Sequence, residues 1–158
     1  MNILVLCTGN SARSILLESL LNGLGNGRVH AFSAGSQPAG KVHPQSISLL
    51  KAEGFDVTQL RSKSWDEFAG NTSPEMDLVI TVCSSAAGET CPIWPGAPLR
   101  ANWGVEDPAA APKEQQAAAF RAAFDNLRRK AVALLALPLE TINSADLKKD
   151  LERIGRLT

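Results

Sequence analysis

The chain has no tyrosine, two histidines and three cysteines among its 158 residues. Three is an odd and small number, which excludes the disulfide framework of small secreted domains. With only His30 and His43 beside the thiols, ligands for a metal ion are scarce. No apolar run approaches the ~18 residues of a membrane-spanning helix. Neither sign of charge is in excess, because Lys+Arg and Asp+Glu both count 16. A neutral chain offers no general grip on a nucleic-acid backbone, so no nucleic-acid partner and no membrane are expected. The opening apolar run, Ile3 to Cys7, has the length of a strand rather than of a signal peptide, and no basic segment precedes it. A cytoplasmic chain is the expectation.

What is present is the balance of a folded domain: 44% hydrophobic and 20% charged residues, in a length suited to one core. Asn2 to Cys7, apolar without a break from Ile3 onward, reads as a fully buried strand. Leu16, Leu17, Leu20, Leu21 and Leu24 follow at helical spacing, stopped by Gly25. Arg28 to Ser33 predicts a second strand, closed by Ala34-Gly35. Pro44 suits a first helical position, with Ile47 and Leu50 behind it and Gly54 at the end. Met76–Val82 and Pro98–Trp103 predict two more strands. A long helix is expected from Lys113 to Leu137, with Phe120, Phe124, Leu127, Ala131 and Leu134 on one face and Pro138 as its stop. Leu147, Leu151 and Ile154 predict a final amphipathic turn or two. Strands alternating with helices indicate an α/β fold, here a single domain with a four-stranded parallel sheet flanked by helices on both faces. Residues 1–138 form the domain proper in this reading, and residues 139–158 a C-terminal helical extension of it. Such sheets bind ligands beyond the C-terminal ends of their strands, where Cys7 and Cys83 stand.

Between the first strand and first helix lies Cys7-Thr8-Gly9-Asn10-Ser11-Ala12-Arg13-Ser14, with five residues between Cys7 and Arg13. Successive backbone N–H groups in such a loop can converge on one point and form an anion nest. The helix starting near Arg13 adds its positive end, and the guanidinium fork can grip two oxygens of a tetrahedral anion. That field also favours a thiolate: cysteine pKa values fall from ~8.5 to ~3.5–7.5 in such settings. The Ser14 hydroxyl is placed to donate to the sulfur. The loop is not a Walker A loop, because the Gly-Lys-Ser/Thr ending is missing. A strand–turn–helix with an incidental arginine, and inert buried thiols, are the bland alternatives.

This loop, the Ser33-Ala34-Gly35 step and the Asp107-Pro108 pair resemble the low-molecular-weight protein tyrosine phosphatase superfamily, and within it the arsenate reductases. The resemblance runs from Asn2 to about Leu137. It implies a nucleophilic Cys7, an oxyanion cradle from Thr8 to Arg13, and Asp107 as the general acid; a solvated Asp-Pro turn is the plain alternative. The absence of tyrosine also separates this chain from phosphatases of the superfamily, which commonly carry tyrosine in the acid loop. Small inorganic oxyanions need no aromatic slot. Trp65, Trp94 and Trp103 all lie outside the nucleophile loop.

A phosphatase needs only Cys7, Arg13 and an acid, yet this chain adds Cys83 and Cys91 in Cys83-Ser-Ser-Ala-Ala-Gly-Glu-Thr-Cys91. Zinc is a competing use, but short Cys-x-x-Cys clusters are missing. His30 reads as strand packing and His43 as a helix-start residue. The resemblance implies a Cys7–Cys83–Cys91 thiol–disulfide relay that reduces arsenate to arsenite for arsenic detoxification. No cofactor is bound; electrons come from thioredoxin, or from glutaredoxin with glutathione. Seven residues separate Cys83 from Cys91, one more than in the best-known members. Some relatives bind potassium with an asparagine, a glutamate, a serine and an aspartate. Asn10, Glu18 and Ser33 match the first three and Lys63 takes the aspartate's place, so a buried ammonium paired with Glu18 is expected instead of the ion, and no potassium dependence. An exposed loop lysine is the other reading of Lys63. The competing functions are a phosphotyrosine or phosphomonoester phosphatase and a non-enzymatic thiol sensor or partner-binding module. A monomer or weak homodimer is expected.

Overall fold

Residues 2–7 alternate between two buried environments, and that is why an unbroken apolar run forms the central strand, β1 (Asn2–Cys7). The computed structural model describes residues 1–70, 73–82 and 98–158. Beside β1 lie β2 (His30–Gly35), β3 (Leu78–Thr81) and β4 (Leu99–Asn102), all parallel, in the order β2-β1-β3-β4. The chain steps from β1 to β2 on one side and crosses to β3 on the other. Strand order therefore reverses at β1, and a crevice opens beyond the C-terminal ends of β1 and β3. Cys7 sits there, level with Gly35 of β2.

Ile3, Val5 and Cys7 face the larger core, with α1 (Arg13–Leu24), α2 (Pro44–Ala52), α3 (Gln116–Leu135) and α4 (Ser144–Gly155) packed over it. Leu4 and Leu6 face a smaller core closed by Met76, Val79 and Phe68, the last on a 3-10 turn, Trp65–Phe68. The five apolar residues expected on one face of α3 are all buried. Each of the Phe and Leu side chains among them contributes about 1.5–3 kcal/mol relative to exposure. None of the helices among the described residues is long and apolar enough to cross a membrane.

Several expectations shift. β2 begins at His30, not Arg28. The Arg28 guanidinium instead donates to the Leu135 and Leu137 carbonyls at the end of α3, at 2.5 and 2.8 Å, and pairs with Glu140 at 2.7 Å. It satisfies carbonyls that a helix end leaves without partners. His30 is exposed rather than packed, whereas His43 is the N-cap of α2, its Nδ1 accepting from Gln45 N at 3.1 Å. The long helix begins with a 3-10 turn at Lys113–Gln115 and becomes α-helical at Gln116. The amphipathic tail forms a full helix, α4, which packs on β4. Trp103 is fully buried there and donates from Nε1 to the Leu151 carbonyl at 3.1 Å.

Candidate active site

The nucleophile loop is held from outside by its carbonyls. Those of Cys7, Thr8, Gly9 and Ser11 accept from the backbone N–H groups of Ser36, Gln37, Ala39 and His43 at 3.3, 3.0, 2.9 and 3.0 Å. The Ser62 and Ser46 hydroxyls donate to the Gly9 and Ser11 carbonyls at 3.1 and 2.9 Å. In a trans peptide the carbonyl and the next N–H point opposite ways. Turning these carbonyls toward the 36–43 segment turns the N–H groups of Thr8, Gly9, Asn10 and Ala12 away from it, as an anion nest requires. Gly35 permits the approach, because a Cβ there would come within 2.4 Å of the Thr8 carbonyl.

Asn10 is the loop's internal brace. It is fully buried, with φ of 48°, a left-handed conformation that asparagine tolerates better than most residues. Its Nδ2 donates to the Ser14 and Ser33 hydroxyls at 2.8 and 2.9 Å, and its Oδ1 accepts from Lys63 N at 3.0 Å. The helix that follows starts at Arg13 without a side-chain cap from Ala12 and without an acid in its first turn. Its leading amides and its dipole are therefore left for a bound anion.

Arg13 links this loop to the one after β4. Its Nη1 donates to the Val105 carbonyl at 2.9 Å, and its Nη2 lies 3.7 Å from Asp107 Oδ2. Arg13 Nε is buried and, among the described residues, has no hydrogen-bond partner, a donor position that an oxyanion would satisfy. The Asp107 side chain is 43% exposed and its Oδ1 accepts from Ala109 N at 3.0 Å, which caps the short turn Pro108–Ala110. Cys7 is 4% exposed at the floor. The structure thus gathers Cys7, Thr8 to Ser14 and Asp107 at the C-terminal ends of β1 and β4. Cys83 and Cys91 lie outside the described residues; Val82, the residue before Cys83, donates to the Leu6 carbonyl at 2.9 Å. Sequence reasoning did not single out Ser36, Gln37, Ala39, Ser46 or Ser62. They act through backbone atoms and small hydroxyls, which leave no pattern in composition.

Lys63 is not an exposed loop lysine. Its Nζ lies 3.8 Å from Glu18 Oε1, with side-chain exposures of 8% and 11%, and it donates to the Arg61 carbonyl at 3.0 Å. Ser33 hydrogen-bonds to Glu18 as well as accepting from Asn10, so the pair is wired to the nucleophile loop. Burial pushes the Glu18 carboxyl up, against the pull of Lys63; burial pushes Lys63 down, against Glu18. An ammonium already stands beside the glutamate, so equal turnover in potassium and sodium salts of one ionic strength is the expected result. Lys63→Met strands the buried carboxylate and is expected to cost about 3 kcal/mol in urea unfolding, with Glu18→Gln added in the same chain restoring most of it. Losing Lys63 also raises Glu18 further. A raised acid holds its proton more tightly folded than unfolded, so the variant's stability falls as pH rises from the ordinary carboxylate range toward that raised value. An unchanged unfolding midpoint would mean the pair contributes nothing.

Comparison with known proteins agrees with this geometry. The low molecular weight phosphotyrosine protein phosphatase family matches residues 2–153. An arsenate reductase of Halalkalibacterium halodurans is 33% identical over 130 residues, 81% of this chain and 90% of its own. A solved arsenate reductase in a phosphate-binding state is 25% identical with a TM-score of 0.68, over 85% of this chain and 96% of its own. The thioredoxin-dependent arsenate reductase of Corynebacterium glutamicum is likewise 25% identical, with a TM-score of 0.58 over 80% of this chain and 58% of its own. The chain belongs to the low molecular weight phosphotyrosine protein phosphatase family, and its curated relatives include arsenate reductases.

Proposed function

We propose that this chain reduces arsenate to arsenite, with Cys7 as nucleophile and an external dithiol as electron donor. The observation that carries the reading is the carbonyl-anchored loop with Arg13 at its end, set against Asp107, in a chain that supplies two further cysteines. The nest and Arg13 hold three arsenate oxygens while the Cys7 thiolate attacks arsenic. Asp107 gives its proton to the departing oxygen, which leaves as water. Cys83 then attacks the Cys7 sulfur. The S–As bond breaks, its electron pair stays on arsenic, and As(V) becomes As(III), released as arsenite. Cys91 attacks Cys83, freeing Cys7, and the Cys83–Cys91 disulfide passes to the donor. Only the second exchange expels Cys7 as a thiolate, and the nest, by favouring that thiolate, makes it the better leaving group there.

Thioredoxin is the donor we favour, on the likeness to a thioredoxin-dependent enzyme. The test is arsenate-dependent oxidation of thioredoxin, run beside glutaredoxin with glutathione. Turnover with thioredoxin alone supports the full relay; turnover only with glutathione replaces the donor; turnover with neither removes the reading. Asp107→Asn is expected to slow turnover 10²–10⁴-fold, the range for a lost general acid, while the affinity for inorganic phosphate stays within a few fold. Unchanged turnover would take the acid role from Asp107. Phosphomonoester hydrolysis uses the same three groups and is the second reading, favoured by the family match. It predicts turnover of an aryl phosphate that survives loss of Cys83.

A further inference from the structure

Lys130 is a charged residue that the proposed reaction does not use. It lies on the buried face of α3 between Leu127 and Leu134 and is 2% exposed. Its Nζ donates to Asn126 Oδ1 at 2.8 Å, and among the described residues it forms no ion pair. An ammonium has three donors, and burying one against a single neutral acceptor is costly. The arrangement is built rather than accidental, because Asn126 is itself fixed, its Nδ2 donating to the Leu157 carbonyl at 3.3 Å. Burial, and after it the nearby Arg129 charge, push Lys130 below the ordinary lysine range.

Lys130 lines a cavity of about 660 Å³. That size lies within the range of small-molecule sites, roughly 300–1,000 Å³. The cavity is bounded by the 104–111 segment, by α3 and by the last residues of the chain, and it includes none of the nucleophile loop. Ala119, Ala122 and Ala123 form an apolar wall, and Glu106 and Asp107 contribute acidic groups. An apolar wall suits a hydrocarbon body, and a buried cation calls for an anionic end. Arg156 lines the cavity as well, and Glu106 and Asp107 together oppose a second negative charge on the guest.

We propose that this cavity is a binding site for a small organic monocarboxylate, its carboxylate on Lys130 and its apolar body against Ala119, Ala122 and Ala123. The cavity borders the candidate active site, sharing Val105 and Asp107 with it but none of the nucleophile loop, and the proposal does not depend on the arsenate reading. Benzoate serves as the probe, titrated calorimetrically at constant ionic strength with inorganic phosphate saturating the Cys7 loop. The expected result is saturable one-to-one binding to the wild type, at least tenfold weaker in Lys130→Met. That variant keeps the side chain's length and removes a charge with no counter-ion, so its melting temperature should not fall. Ala122→Phe fills the cavity from an exposed position on α3 and should also abolish binding, which covers the case in which Lys130→Met does not fold. No saturable binding to the wild type, or equal affinity in wild type and either folded variant, overturns the proposal.

Discussion

Cys7→Ser is expected to abolish arsenate reduction while inorganic phosphate still binds. The two halves of this result separate chemistry from recognition. Recognition belongs to the backbone: the amides of Thr8, Gly9, Asn10 and Ala12 are aimed by carbonyls that the 36–43 segment holds, and Arg13 supplies the fork. A serine hydroxyl is nearly the size of the thiol and leaves those bonds in place. Chemistry belongs to the sulfur, since a hydroxyl in the same field remains protonated near neutral pH and cannot form a disulfide with any thiol. The fall should reach the detection limit of a coupled assay, below one part in 10³ of wild type. Phosphate affinity by calorimetry should change less than threefold. Residual turnover above that limit would move the nucleophile to another residue; loss of phosphate binding would show that the sulfur itself shapes the cradle.

Cys83→Ser is expected to end multiple turnover with the thioredoxin system, again to the detection limit, without impairing the first chemical step. Cys7 can still attack and hold the oxyanion, so hydrolysis of an aryl phosphate should persist within about threefold of wild type. What is lost is the intramolecular thiol whose attack carries the electron pair to arsenic. Adding glutathione to this variant gives a further reading. If an external thiol reaches the Cys7 adduct, reduction returns with a rate that depends on glutathione concentration. If it does not, the adduct is closed to solvent thiols. Wild-type turnover of Cys83→Ser with thioredoxin alone would remove the relay. Because Val82 is bonded to Leu6 at the floor of the crevice, the chain enters the Cys83 segment from the place where Cys7 ends β1.

Much of this molecule is readable from residue order, and the reason is that its local and global preferences agree. An unbroken run of five apolar residues, Ile3 to Cys7, forms the body of β1 because both sides of the central strand are covered. Phe120, Phe124, Leu127, Ala131 and Leu134 recur at helical spacing, and all five face the core of α3. Arg28 misleads, since a basic residue beside an apolar run reads as the start of a strand; it is withdrawn from β2 by the carbonyls at the end of α3, more than 100 residues away. His30 misleads for the same reason, as the strand's first position looks out to solvent.

The sequence alone determined the identities that chemistry needs: a cysteine and an arginine on a strand-to-helix turn, an aspartate before proline, and two further thiols. Only the tertiary structure decided which way the loop's backbone carbonyls turn, that Arg13 reaches Val105 and Asp107, and that Lys63 stands buried beside Glu18. The difference is physical. Nucleophiles, acids and turn residues are carried by side-chain type at short spacing, whereas a nest is made of amides common to every residue, and its aim is set by hydrogen bonds from a segment about thirty residues further along the chain.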